Sequence, residues 1–201
     1  ELPFISQFGY SITKGLLEFS GESISKFRND YLEKLKSLAN GNFIITDKMP
    51  QNFLYTGLIA ATFPEAKILH VKRNAAAVCW ANYKQWFRSN ELGYSYSIDD
   101  IVEYHRLYED LMKFWNKILN NKIYEVDYEA LTIDHENEIK KLINHLDLSW
   151  EEKCLFPEKN KRSISTASNI QIREKIYKGS SQQWKKYKPF LSGALDYLDN
   201  H

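Results

Sequence analysis

Cysteine is scarce in this chain, with only Cys79 and Cys154 in 201 residues. Two thiols cannot build a disulfide framework, so a packed core must hold the fold, and small buried thiols fit a reducing compartment. Charge of one sign is lacking too. Lys plus Arg number 27 against 26 for Asp plus Glu, a net charge of +1, so no global field draws the chain to nucleic acid or an anionic membrane. Any basic site has to be local. The apolar runs are short and broken by charge, and none approaches the roughly 20 residues that cross a bilayer. The chain opens on Glu1 without a methionine and without the basic-then-apolar start of a signal peptide. These absences together lead us to expect a cytoplasmic domain with no membrane span, truncated before residue 1.

Most catalytic signatures are also missing. There is no Gly-x-Ser-x-Gly elbow, no Cys-x-x-Cys, no His-Glu-x-x-His, no Gly-x-Gly-x-x-Gly and no Gly-x-x-x-x-Gly-Lys-Ser/Thr loop. Histidines 70, 105, 135, 145 and 201 show no metal-ligand spacing with one another or with the cysteines. His105 reads as a packed or surface residue of a long helix. Neither pattern supports metal catalysis.

What is present is the pattern of one α/β domain spanning 1–201, long enough to bury roughly 70% of its unfolded surface. Apolar residues Leu2, Ile5, Phe8, Ile12, Leu16 and Phe19 recur at helical spacing, with a break expected near Gly9. A second helix, capped by Ser23, is expected to run to about Asn40. Phe43-Ile44-Ile45-Thr46 is short and rich in β-branched residues, which predicts a buried strand. A helix from Gln51 to Phe63 and a strand from Lys67 to Val71 would complete a strand, helix, strand unit. Further helices are predicted over 75–87, 98–119 and 136–145, a third strand over 122–126, and a helix from Ser180 broken at Pro189. Ligands of such parallel sheets lie beyond the carboxyl ends of the strands. Both predicted strand ends here are basic, Lys48 after the first and Lys72 with Arg73 after the second, which points to an anionic ligand.

Five short motifs follow one another in fixed order. They are Thr46-Asp47-Lys48-Met49-Pro50-Gln51-Asn52-Phe53, Phe63-Pro64-Glu65-Ala66-Lys67-Ile68-Leu69-His70-Val71-Lys72-Arg73, Val126-Asp127-Tyr128-Glu129-Ala130-Leu131, Thr166-Ala167-Ser168-Asn169-Ile170-Gln171-Ile172-Arg173, and the run from Tyr177 to Tyr187 that holds Lys178 and Trp184. The series resembles the sulfotransferases, above all the bacterial group often fused behind tetratricopeptide repeats and related to the tyrosylprotein sulfotransferases. The resemblance implies a P-loop-like parallel sheet flanked by helices. It also implies 3′-phosphoadenosine-5′-phosphosulfate (PAPS) as sulfuryl donor, a sulfate acceptor of unspecified class as the partner, and tetratricopeptide repeats ahead of the domain in the parent protein.

Residue by residue, the resemblance gives Lys48 the place of the lysine that stabilises charge on the departing bridging oxygen, a task suited to a fixed cation in a partly dry site. Arg73 takes the place of the guanidinium that grips the 3′-phosphate. Tyr128 stands where a tyrosine lies against adenine or ribose, and Ser168 where a serine reaches the 3′-phosphate side. Lys178 and Trp184 fall in the segment that closes over the nucleotide, and Glu1 matches the glutamate that serves as general base. Two positions depart from the pattern. Ala81 replaces the serine usually found eight positions after the arginine, and Gln183 replaces a basic residue, so donor binding is expected to be weak. The loop Pro-Arg-Ser-Gly-Thr-Thr that holds the 5′-phosphosulfate in such enzymes belongs just before Glu1 and is not among these residues. A chain lacking that loop is expected to be feeble or inactive, and a degenerate nucleotide-binding or interaction module is the alternative reading. A nucleotide kinase is disfavoured, because no Walker-type lysine loop or magnesium carboxylate pair is present.

Overall fold

The computed structural model describes residues 2–39, 41–87, 90–120, 122–160 and 177–200. The chain divides into two compact units, residues 1–68 with 108–123, and residues 69–107 with 124–201.

The first unit is helical. Helix α1 (Phe4–Thr13) and helix α2 (Gly21–Leu38) precede a 3₁₀ helix (Pro50–Tyr55) and helix α3 (Thr56–Thr62). Gly9 does not break α1 as expected; it lies buried inside the helix, and a Cβ there would sit 2.2 Å from the Tyr55 ring. Its missing side chain is what lets α1 approach the 50–55 helix. The cap of α2 is Ser20 rather than Ser23: Ser20 Oγ accepts from the Ser23 amide, and Ser23 returns the bond as the third residue of a capping box. Ile5, Phe27, Tyr31 and Phe63 form the core, with the Phe8 and Phe27 rings stacked at 4.2 Å. Arg28 closes the edge of this core through both terminal guanidinium nitrogens, donating to Glu65 at 2.6 and 3.1 Å and to the Thr62 carbonyl at 2.7 Å. Those bonds hold the Glu65 carboxyl below its ordinary range.

The strand expected over 43–46 does not form. Phe43 and Ile44 are exposed, and no ladder partner pairs with them among the described residues. Apolar β-branched residues favour a strand, but a strand exists only with a neighbour to bond to. Here the hydrophobic run has none.

The second unit contains the sheet, apart from the first residue of each strand. Strand β1 (Ile68–Lys72) is followed by helix α4 (Ala75–Lys84), a 3₁₀ segment (Asn90–Tyr96) and helix α5 (Ile98–Ile118), whose residues 98–107 belong here and 108–118 to the first unit. Strand β2 (Ile123–Asp127) pairs parallel to β1 in a two-stranded sheet, as the α/β class requires. Helices α6 (Tyr128–Ile133) and α7 (His135–His145) follow. After short 3₁₀ turns comes a 3₁₀ helix (Ser180–Phe190) that packs along α4. Its core is Ala76, Ala77, Cys79, Ile101, Trp184, Leu195 and Leu198. No helix among the described residues is long and apolar enough to cross a membrane.

One sheet residue makes stability depend on pH. Burial holds His70 below its ordinary value of 6.5, with Lys72 adding to the effect and Glu125, 3.7 Å away, opposing it. The unfolded chain therefore takes up this proton before the folded one does. Above the unfolded value the cost is nil; it grows as pH falls through 6.5 and is complete below the folded value. Urea unfolding is expected to show stability falling on acidification from neutral pH through this window, with a shallower fall in His70→Gln. The same slope in both proteins would remove His70 from the account.

Candidate functional site

The sheet explains why two distant residues meet. Parallel neighbours end at the same edge, and Arg73 follows β1 directly as Tyr128 follows β2. One register of 55 residues runs through the pair: His70 faces Glu125, Arg73 faces Tyr128, and the Asn74 amide donates to Glu129 Oε2 at 3.2 Å. The guanidinium carbon of Arg73 lies 4.9 Å from the centre of the Tyr128 ring, close enough for a cation–π contact.

The remaining wall comes from the start of the 180–190 helix. Gly179 takes a left-handed φ of 86°, open to glycine at no steric cost, and turns the chain so that Ser180 and Ser181 face the arginine. Arg73 Nε donates to Ser181 Oγ at 2.9 Å, and Nη2 lies 3.5 Å from Ser180 Oγ, which also bonds the Tyr128 hydroxyl at 3.0 Å. Nη1 has no hydrogen-bond partner among the described residues. The guanidinium is thus fixed through its Nε side and its face, while its outer edge keeps donors to spare. Helix α4 begins two residues further on, capped by Asn74 Oδ1 accepting from the Ala77 amide at 2.9 Å, and its amino end adds partial positive charge. What this corner can do chemically is grip an oxyanion with a pre-oriented fork.

Glu129, like Ser180 and Ser181, is a residue here that the sequence did not mark. Its Oε2 holds the turn that carries Arg73, and its Oε1 is buried without a partner among the described residues. Glu129→Ala strands the Asn74 N–H and is expected to lower stability by about 1–3 kcal/mol, while Glu129→Gln keeps an acceptor and stays near the parent. Equal losses in urea unfolding would mean that the carboxylate does something other than hold this turn.

Among the other expected residues, Lys178 is exposed one position before Gly179, and Gln183 donates to the Tyr177 hydroxyl at 3.3 Å. Trp184 is 1% exposed and sits in the core of the second unit, its Nε1 without an acceptor among the described residues. Ala81 is exposed on α4. Lys48 belongs to the first unit, where it is exposed after Asp47. That aspartate accepts from the Leu2 amide at 3.2 Å and the Tyr31 hydroxyl at 2.8 Å, tying the corner to the start of the chain and to α2. Burial, and then the bond to Asp47, raise the Tyr31 pKa, so the hydroxyl stays a donor. Glu1 and Ser168 lie outside the described residues.

Fold and corner together give an α/β protein with a clamped arginine at the carboxyl edge of its strands. The chain belongs to the sulfotransferase family, whose model matches residues 20–152. The matched span holds Lys48, Arg73 and Tyr128, and leaves out Lys178 and Trp184. The chain is also 33% identical over 214 residues to an uncharacterized protein of Aquifex aeolicus (strain VF5), an alignment that takes in 98% of this chain and 28% of that relative. It therefore spans less than a third of the relative's length.

Proposed function

We propose that the chain is the catalytic domain of an enzyme that moves a sulfuryl group from PAPS to a hydroxyl or amine acceptor. The observation that carries this reading is the Arg73 guanidinium, clamped by Ser181, Ser180 and Tyr128 with Nη1 unpartnered among the described residues, beside the amino end of a helix. A nucleotide 3′-phosphate is a dianion with oxygens spaced for such a fork.

In this reading Arg73 holds the 3′-phosphate with Ser168, Tyr128 lies against the adenosine, and Lys178 and Trp184 belong to the segment that closes over it. The bond between the sulfuryl sulfur and the 5′-phosphate oxygen breaks as the acceptor oxygen or nitrogen bonds to sulfur. Lys48 stabilises the charge left on the departing phosphate oxygen. The acceptor's proton passes to Glu1, and 3′-phosphoadenosine-5′-phosphate (PAP) leaves. The P-loop-like sheet and the tetratricopeptide repeats elsewhere in the protein rest on the resemblance of the motifs. Two free thiols, Cys79 and Cys154, support a place in the cytoplasm.

The test is chromatographic. Protein is incubated with PAPS, a chelator and a panel of phenolic, glycan and amine acceptors, and PAP formation is followed. Transfer without magnesium is expected; phosphoryl transfer from ATP that needs magnesium would replace this reading with a kinase. Exposed Ala81, which puts no hydroxyl where the family pattern has serine, favours a second reading, a non-catalytic nucleotide-binding module. That reading predicts PAP binding with no transfer to any acceptor.

A further inference from the structure

The oxyanion corner occupies one end of a helix pair, and the other end of the pair is a different chemical environment. Helix α4 and the 180–190 helix run side by side in the same direction: Arg73 meets Ser181 at 2.9 Å, the Trp80 and Tyr187 rings lie 4.6 Å apart, and Tyr83 and Phe190 line one cleft beyond them. Ten residues of α4 separate this cleft from Arg73 by about 15 Å. The cleft is open, about 420 Å³, and is lined by Tyr83, Phe190, Leu191, Gly193, Ile98 and Asp99 among others.

Its charge differs from that of the Arg73 corner. Asp99, in the first turn of helix α5, brings a carboxylate with no basic side-chain partner among the described residues, its charge partly offset by that helix's amino end. Lys188 is paired with Asp196 at 3.1 Å, and Lys84 lies over the Trp80 ring at 5.6 Å, which draws its ammonium without neutralising it. Helix α4 ends here, and the carbonyls of its last turn carry partial negative charge. Two aromatic residues are left to water beside that carboxylate, Phe190 at 82% and Tyr83 at 42% exposure. The wall between them is a corner in which Ser192 (φ 49°) and Gly193 (φ 78°) are both left-handed, a conformation that a serine adopts only under strain.

We propose that this cleft binds a small alkylammonium ligand, its cationic head between the Tyr83 and Phe190 faces and beside the Asp99 carboxylate. A neutral apolar ligand would cover Asp99 without pairing it, and an anion would be repelled. A methylated or primary ammonium on a short apolar body satisfies both surfaces.

The probe is choline, titrated into the full chain and followed through the amide resonances of Gly193 and Ala194. Saturable shifts are expected, with 3,3-dimethylbutan-1-ol, of the same shape but uncharged, binding about tenfold more weakly. Asp99→Asn is expected to weaken choline by about tenfold, and Phe190→Ala to weaken it severalfold. Phe190 is almost fully exposed, so that variant retains the fold, which far-ultraviolet circular dichroism checks. Absence of saturable shifts, equal binding of the neutral probe, or unchanged choline affinity in both variants would overturn the proposal.

Discussion

Lys48→Ala is expected to slow sulfuryl transfer by about 10²–10³-fold, or about 3–4 kcal/mol of transition-state stabilisation, while changing nucleotide affinity far less. The asymmetry follows from timing. Charge appears on the bridging oxygen only as the bond to sulfur breaks, so a cation placed there contributes to the transition state and little to the ground state. The corner that carries Lys48 is fixed by Asp47, which accepts from the Leu2 amide and the buried Tyr31 hydroxyl, so the lysine starts from a held backbone. The rate is followed as PAP formed with whichever acceptor of the panel the parent protein sulfates. Lys48→Arg keeps the charge but not the compact head, and should recover only part of the loss. A Lys48→Ala protein that turns over at the parent rate would leave Lys48 as an ordinary surface lysine.

Arg73→Ala is expected to weaken PAP by about hundredfold, close to 2.7 kcal/mol, the sum expected for a charged, two-point grip on phosphate. Its effect should fall on binding and KM, because the 3′-phosphate does not react and is held equally before and during transfer. Arg73→Lys is expected to lie between. A lysine keeps the charge, but it cannot hold Ser181 and stack on Tyr128 while still presenting two donors outward. The substitution also strips the buried Ser181 hydroxyl of its donor, at about 1 kcal/mol of stability. Melting curves recorded alongside separate this cost from the affinity loss. Affinity that falls only as far as stability does would assign Arg73 a structural task.

The parts of the site that were legible in the sequence are those whose signal is local. The apolar runs 67–71 and 122–126 read as strands, so Arg73 could be named from its place at a strand end, while Tyr128 was named by the resemblance of its motif. The structure starts β1 and β2 one residue later than expected and keeps both as strands. The other half of the clamp was not legible. Ser180 and Ser181 reach Arg73 across 107 and 108 residues, and Glu129 reaches Asn74 across 55. No period or spacing announces such pairs, although a glycine before two serines is a fair sign of a turn that presents hydroxyls. The 43–46 segment failed for a related reason. Its composition favours a strand, but pairing is a property of a neighbour, and none is present among the described residues. Trp184 illustrates a third limit: the resemblance placed it in the segment that closes over the nucleotide, and that it also belongs to the buried cluster with Cys79, Ile101 and Leu195 only three-dimensional packing could show.

Calorimetry with a matched pair of nucleotides shows whether the corner around Arg73 reads a 3′-phosphate. PAP and adenosine 5′-phosphate differ only in that group. The account predicts that PAP binds about hundredfold more tightly to the parent protein, and that Arg73→Ala erases the difference by weakening PAP alone. Equal affinity for the two nucleotides, or a preference for PAP that survives in Arg73→Ala, would contradict it.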